Sequence, residues 1–131
     1  MPELPEVQTV VNSLKPQLIN LSIRRSNLIW KKVIHKTRKN IFDRQIINKK
    51  IINVLRLAKF IVLKLENGFM LCHLRMTGSL FLKHKLPKKL KHVSAYFLLS
   101  NNKYLVFEDV RKFGGFMYLD SLNEIKMKYG I

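Results

Sequence analysis

Between residues 51 and 74 the chain holds three apolar runs, Ile51 to Leu57, Phe60 to Leu65 and Phe69 to Leu74, each too short for a stable helix. Glu66, Asn67 and Gly68 join the last two as a hairpin. Further on, Val93 to Leu99 and Tyr104 to Phe107 flank Ser100, Asn101, Asn102 and Lys103, a second hairpin signal, and Phe116 to Leu119 forms another strand after Gly114 and Gly115. Strands joined by tight turns pair antiparallel, so the middle of the chain is committed to antiparallel sheet.

The first twenty residues follow a different period. Val7, Val10, Val11, Leu14 and Leu18 repeat at the spacing of one helical face, and Pro5 suits a first helical turn, so the pattern predicts a helix over about 5 to 18. Leu21, Ile23, Leu28 and Ile29 read as strand, and Ile41 to Ile47 as a short helix. No repeat, low-complexity linker or domain boundary interrupts residues 1 to 131, which predicts one α+β domain led by a helix.

Composition removes several classes. With 47% hydrophobic residues in 131, the chain has enough apolar side chains for one core, which argues against disorder. Cys72 is the single cysteine, so neither a disulfide framework nor a cysteine-rich structural zinc site is expected, and no metal site is expected in this chain. No apolar run is long enough to span a bilayer, and Glu3 and Glu6 stand where a signal peptide carries basic and apolar residues. The expectation is a soluble, cytoplasmic protein with no membrane partner.

Charge supplies the first functional signal. The chain carries 25 Lys and Arg against 8 Asp and Glu, a formal charge of +17. Such an excess calls for a polyanion, and nucleic acid comes first because the cations are spread through strand-like segments rather than along a basic amphipathic helix. A lysine-rich genome would explain the lysines but not the shortage of acids. No acid occurs between Glu6 and Asp43 or between Glu66 and Glu108, and two acid-free stretches can fold into one face that follows a phosphate backbone.

The N-terminus adds a nucleophile. Removal of Met1 ahead of the small Pro2 would leave a free secondary amine, and α-amino groups titrate at about 7.7–8.0, so free base is present at neutral pH. Attack of that amine on C1′ of a deoxyribose displaces the base and leaves an iminium ion, an electron sink for later strand cleavage, with Glu3 beside it to move protons. Taken alone, Pro2 is merely the residue after the start codon, and Glu3 and Glu6 simply favour a helix N-terminus.

The opening Met1-Pro2-Glu3-Leu4-Pro5-Glu6-Val7 does not stand alone. It resembles the start of the formamidopyrimidine-DNA glycosylase family, bifunctional enzymes that excise oxidised purines. Leu57-Ala58-Lys59-Phe60 resembles the family's lysine-bearing strand, His73-Leu74-Arg75-Met76-Thr77-Gly78-Ser79-Leu80 its HLxMSGSL-type segment, and Glu108-Asp109-Val110-Arg111-Lys112-Phe113-Gly114 its DxRRFG-type segment. Four motifs in order make the resemblance far more specific than any one of them. The endonuclease VIII branch typically opens PEGPE, so Leu4 points to the purine branch.

The resemblance implies an architecture and a set of roles. The fold would be a two-sheet antiparallel β-sandwich, or flattened barrel, flanked by the N-terminal helix and short helices. Pro2 would be the Schiff-base nucleophile, Glu3 its acid/base partner and Glu6 a support for the helix and site. Lys59 would contact the phosphate near the lesion and assist elimination, and His73 and His92 would lie along the backbone. Met76, Arg111 and Phe113 would fill the hole left by the extruded nucleotide, the arginine hydrogen-bonding the orphaned cytosine, and Lys112 would bind phosphate. The partner would be damaged double-stranded DNA, 8-oxoguanine opposite cytosine for instance, met by a monomer in a bacterial-type, nucleoid-associated setting.

Three departures stand out. Lys89-Leu90-Lys91-His92-Val93 has Leu90 where relatives read KHxHV, Arg75 replaces a more usual small residue, and Lys112 replaces a second arginine. Family members also continue into a helix-two-turn-helix domain and a C-terminal zinc finger, so this chain is expected to be the N-terminal catalytic domain alone, the zinc site lying in the half it lacks and a separate C-terminal half being a partner to look for. The other readings are a non-catalytic basic module that holds nucleic acid by charge, and an inactive fragment.

Overall fold

Val7, Val11, Leu14 and Leu18 fall on one face of the first helix, and all four are buried, as their spacing requires. The computed structural model describes residues 4–86, 88–128 and 130. In chain order its elements are α1 (Leu4–Leu18), β1 (Ile23–Leu28), a single 3-10 turn (Lys31–Val33), α2 (Lys39–Ile46), β2 (Ile51–Leu57), β3 (Phe60–Leu65), β4 (Phe69–His73), β5 (Gly78–Lys83), β6 (Val93–Leu99), β7 (Tyr104–Asp109), β8 (Gly115–Leu119) and α3 (Asn123–Lys128). The strands form two antiparallel four-stranded sheets, ordered β1-β6-β7-β5 and β2-β3-β4-β8. This is the expected α+β sandwich with its leading helix.

The inner faces of the two sheets and the apolar stripe of α1 share one core. Phe116 of β8 bridges it, meeting Phe97 of β6 and Phe107 of β7 edge-on with ring centroids 5.2 Å apart in both cases. On the outer face of the second sheet, Phe60, Val62 and Leu71 pack under Ile125 of α3. That second layer explains why Phe60 to Leu65 is nearly unbroken in its apolarity instead of alternating: both faces of β3 are covered.

Three features differ from the sequence reading. β5 was not expected, because it lies at a sheet edge and Leu80 alone among its six residues is buried, which leaves no clear period of two. α3 is too short to show a helical period, and Ile125 is its one buried residue. Lys59 lies in the two-residue turn between β2 and β3 and not within a strand; Ala58 before it takes φ +53°, and Leu57 pairs directly with Phe60. Arg56 fixes that turn, its Nη1 donating to the Ala58 carbonyl at 2.8 Å and its Nε to Gln8 Oε1 on α1 at 3.0 Å. No helix among the described residues is long and apolar enough to cross a membrane.

Candidate functional site

The end of β7 organises one end of the first sheet, where three loops meet. Asp109, its last residue, is fully buried, and Thr77 Oγ1 donates to its Oδ1 at 2.5 Å while the Gly114 N–H donates to its Oδ2 at 2.7 Å. Thr77 Oγ1 also accepts the Arg111 N–H at 3.2 Å. The loop from β4 to β5 and the loop from β7 to β8 are thereby tied to one carboxylate. A third loop joins them, since the Asp109 N–H donates to the His92 carbonyl at 2.8 Å.

Met76, Arg111 and Phe113 project from these loops as one group. Met76 is 49% exposed and Phe113 47%, so neither is a core residue despite its apolar side chain. Arg111 lies between them, its guanidinium carbon 4.9 Å from the centre of the Phe113 ring and its Nη1 3.7 Å from Met76 Sδ. Lys112 turns the other way, with Nζ 5.8 Å from the Trp30 ring centre. Arg75, His92 and Lys112 all have positive φ (55°, 66° and 58°), the left-handed backbone of tight loops that favours glycine.

A second cluster forms at the end of β4. His73 is buried, and its Nδ1 accepts the Arg75 N–H at 3.1 Å, which leaves the proton of the neutral ring on Nε2. Burial, reinforced by the charges of Arg75, His35 and Lys59, lowers its pKa from 6.5 to about 4. His35 is lowered as well, by burial and then by Arg75. His35, Lys36, His73, Arg75, Glu124 and Lys128 border a cleft of about 190 Å³, in which Lys36 pairs with Glu124 at 3.0 Å.

The structure therefore joins Met76, Arg111 and Phe113 by direct contact, ties His92 and Lys112 to the same strand end, and places Lys59 close enough to His73 to act on its charge. Glu6 is exposed in the first turn of α1. Pro2 and Glu3 lie outside the described residues. The sequence reading gave no role to Asp109, Thr77, His35 or Trp30. Asp109 and Thr77 were inside quoted motifs, but their bond spans 32 positions, and no local pattern announces such a contact. Cys72 faces the core with its thiol pushed well above the ordinary range by burial and by Asp109.

Comparison with known proteins decides the family. The model of the formamidopyrimidine-DNA glycosylase N-terminal domain matches residues 1–116. The chain belongs to this family. The formamidopyrimidine-DNA glycosylase of Rickettsia bellii is 40% identical over 115 residues, and that of Desulforamulus reducens 43% identical over 117; each alignment covers 87% of this chain and 42% of the relative. The chain thus spans about two-fifths of the length of these curated glycosylases. The crystal structure of the Lactococcus lactis formamidopyrimidine-DNA glycosylase, bound non-covalently to DNA containing an AP site, superposes with a TM-score of 0.90 at 24% identity, covering 99% of this chain and 50% of that one. The two sheets and α1 thus share the fold of the matching half of that structure.

Proposed function

We propose that this chain is the catalytic N-terminal domain of a base-excision glycosylase and AP lyase that acts on oxidised purines in duplex DNA. The observation that carries the proposal is the exposed group of Met76, Arg111 and Phe113, two apolar side chains and a planar donor held together at a rigid strand end. An enzyme that extrudes a nucleotide must fill the vacated space; methionine and phenylalanine wedge the stack, and arginine presents donors to the orphaned cytosine. The family membership and the charge of +17 support the same substrate.

In this reading the Pro2 amine attacks C1′ as the bond from C1′ to the base breaks; the amine then loses its proton and its lone pair breaks the C1′–O4′ bond, opening the sugar to an iminium ion, with Glu3 moving the proton that the departing base or ring oxygen requires. Loss of a C2′ proton from the resulting iminium then expels the 3′ phosphate. Lys59 and His73 hold the phosphate beside the lesion. His73 does so as a neutral donor through Nε2, because its proton is lost well below pH 7. The damaged-base pocket and the remaining DNA contacts belong to the C-terminal half of the family's proteins, whether continuous with this chain or supplied as a separate partner.

Borohydride trapping tests the proposal. The protein is mixed with duplexes containing an abasic site or 8-oxoguanine opposite cytosine, reduced, and run on a denaturing gel. A covalent complex that disappears in Pro2→Gly is the expected result. Trapping on the abasic duplex alone restricts the activity to the lyase step, and no trapping by protein shown by mass spectrometry to lack Met1 leaves a non-catalytic nucleic-acid-binding fragment.

A further inference from the structure

We propose that Asp109 and Thr77 are positioning residues that lock three loops to the end of β7, so that Met76, Arg111 and Phe113 enter the duplex as one unit. The inference rests on the reading that these three side chains fill the space of the extruded nucleotide. It adds the device that sets their geometry.

Asp109 bonds to all three loops. Its carboxylate takes the Thr77 hydroxyl from the β4–β5 loop and the Gly114 N–H from the β7–β8 loop, while its own N–H goes to the His92 carbonyl and its carbonyl accepts the Lys112 N–H at 3.3 Å. Its strand position is fixed by pairing with Gly78. A buried carboxylate is retained only where its oxygens are hydrogen-bonded, and both are. Thr77 relays the constraint: its hydroxyl donates to Asp109 and accepts from the Arg111 N–H, so one oxygen fixes the backbone of the arginine that would read cytosine and sits beside the methionine next to it in sequence.

This arrangement separates holding the loops from touching DNA. Neither Asp109 nor Thr77 has a proposed DNA contact, and a carboxylate would repel phosphate if it faced outward. Buried behind the loops, it orders the backbone from which the arginine projects, so less loop freedom is lost on each binding event.

The test measures opposite-base preference in the full chain. Fluorescence anisotropy gives the affinity for two duplexes carrying a tetrahydrofuran abasic analogue, one opposite cytosine and one opposite adenine. The unaltered protein is expected to prefer cytosine by about tenfold, the scale of a good arginine–base contact. Thr77→Val, which keeps the shape and removes the hydroxyl, should bring the ratio close to one, as Arg111→Ala should, and Thr77→Ser should restore it. Asp109→Ala should act like Thr77→Val, but Thr77→Val decides because Thr77 lies at the surface and its loss does not empty the core. General destabilisation weakens both duplexes together and leaves the ratio unchanged. If Thr77→Val keeps the preference that Arg111→Ala loses, the positioning proposal is wrong and the reading of the trio stands. If Arg111→Ala also keeps it, or the unaltered chain binds neither duplex, both are wrong.

Discussion

Phe60 and His73 face each other across the β3–β4 pair, their rings meeting edge-on with centroids 5.0 Å apart and planes at 83°. The contact holds the imidazole at the buried end of a strand, where the charges of Arg75, His35 and Lys59 all oppose its protonation. A histidine whose pKa falls on folding binds its proton more tightly in the unfolded chain, so acid favours unfolding. Its contribution is complete above pH 6.5 and is lost as the pH falls from there through about 4. The melting temperature should drop over that interval, and His73→Gln should flatten the drop. An equally steep acid limb in the variant would show that other groups carry it.

Gly114 has no room for a side chain. A Cβ there would stand 2.4 Å from the His73 carbonyl oxygen and 2.9 Å from the Phe107 ring, and its N–H is the donor that Asp109 requires. Backbone oxygen cannot step aside as a flexible side chain can, so Gly114→Ala should cost about 2–3 kcal/mol in urea unfolding. A loss below 0.5 kcal/mol, within the range of an ordinary surface change, would mean that the loop has freedom the contacts deny.

The strands and the first helix were legible because their signals are local. Val7, Val11, Leu14 and Leu18 announce α1 wherever the rest of the chain goes, and Glu66-Asn67-Gly68 announces its hairpin. β5 was illegible because its exposure comes from its place at the sheet edge, and α3 because its role is to cover β3, an element some sixty positions earlier. The site divides the same way. Met76, Arg111 and Phe113 were singled out through motifs, whereas the bond between Asp109 and Thr77 spans 32 positions and has no local signal.

Ile125 offers a direct check on that second layer. It is 3% exposed, on a short helix, and packs on Phe60, Val62 and Leu71. Ile125→Ala should destabilise the fold by about 2–3 kcal/mol, near the low end for buried isoleucine because a surface helix can settle into the gap. Hydrogen exchange should rise first in β3. Unchanged stability would mean that α3 is not needed to cover the sheet.

Lys112 and Arg111 are neighbours with different expected signatures. Lys112 leans over Trp30 and presents a point charge, so Lys112→Ala should weaken DNA binding equally across sequences and reduce the slope of log affinity against log salt by about 1. Arg111→Ala should instead alter the preference for the base opposite the lesion. Salt titrations on matched duplexes separate the two, and a sequence-dependent effect of Lys112→Ala would move it from phosphate contact to base reading.

Arg75 is the departure from the family pattern with the most physical content. It takes φ +55°, a backbone that costs a non-glycine residue about 1 kcal/mol, and its charge helps to hold His73 neutral. Arg75→Gly removes both effects at once. The fold should gain up to about 1 kcal/mol from the relieved backbone, reduced by the greater freedom of glycine in the unfolded chain. The His73 pKa should rise from about 4 toward 6.5, since the leading remaining cause, burial, persists while a nearby cation is gone. Titration of the imidazole by NMR measures that shift, and a value unmoved by the substitution would show that burial and the remaining cations set it without Arg75. The same variant separates a use for the arginine from a tolerance of it: weaker DNA binding despite a more stable fold makes Arg75 a phosphate contact of this chain, and unchanged binding makes it a cation that only tunes the histidine beside it.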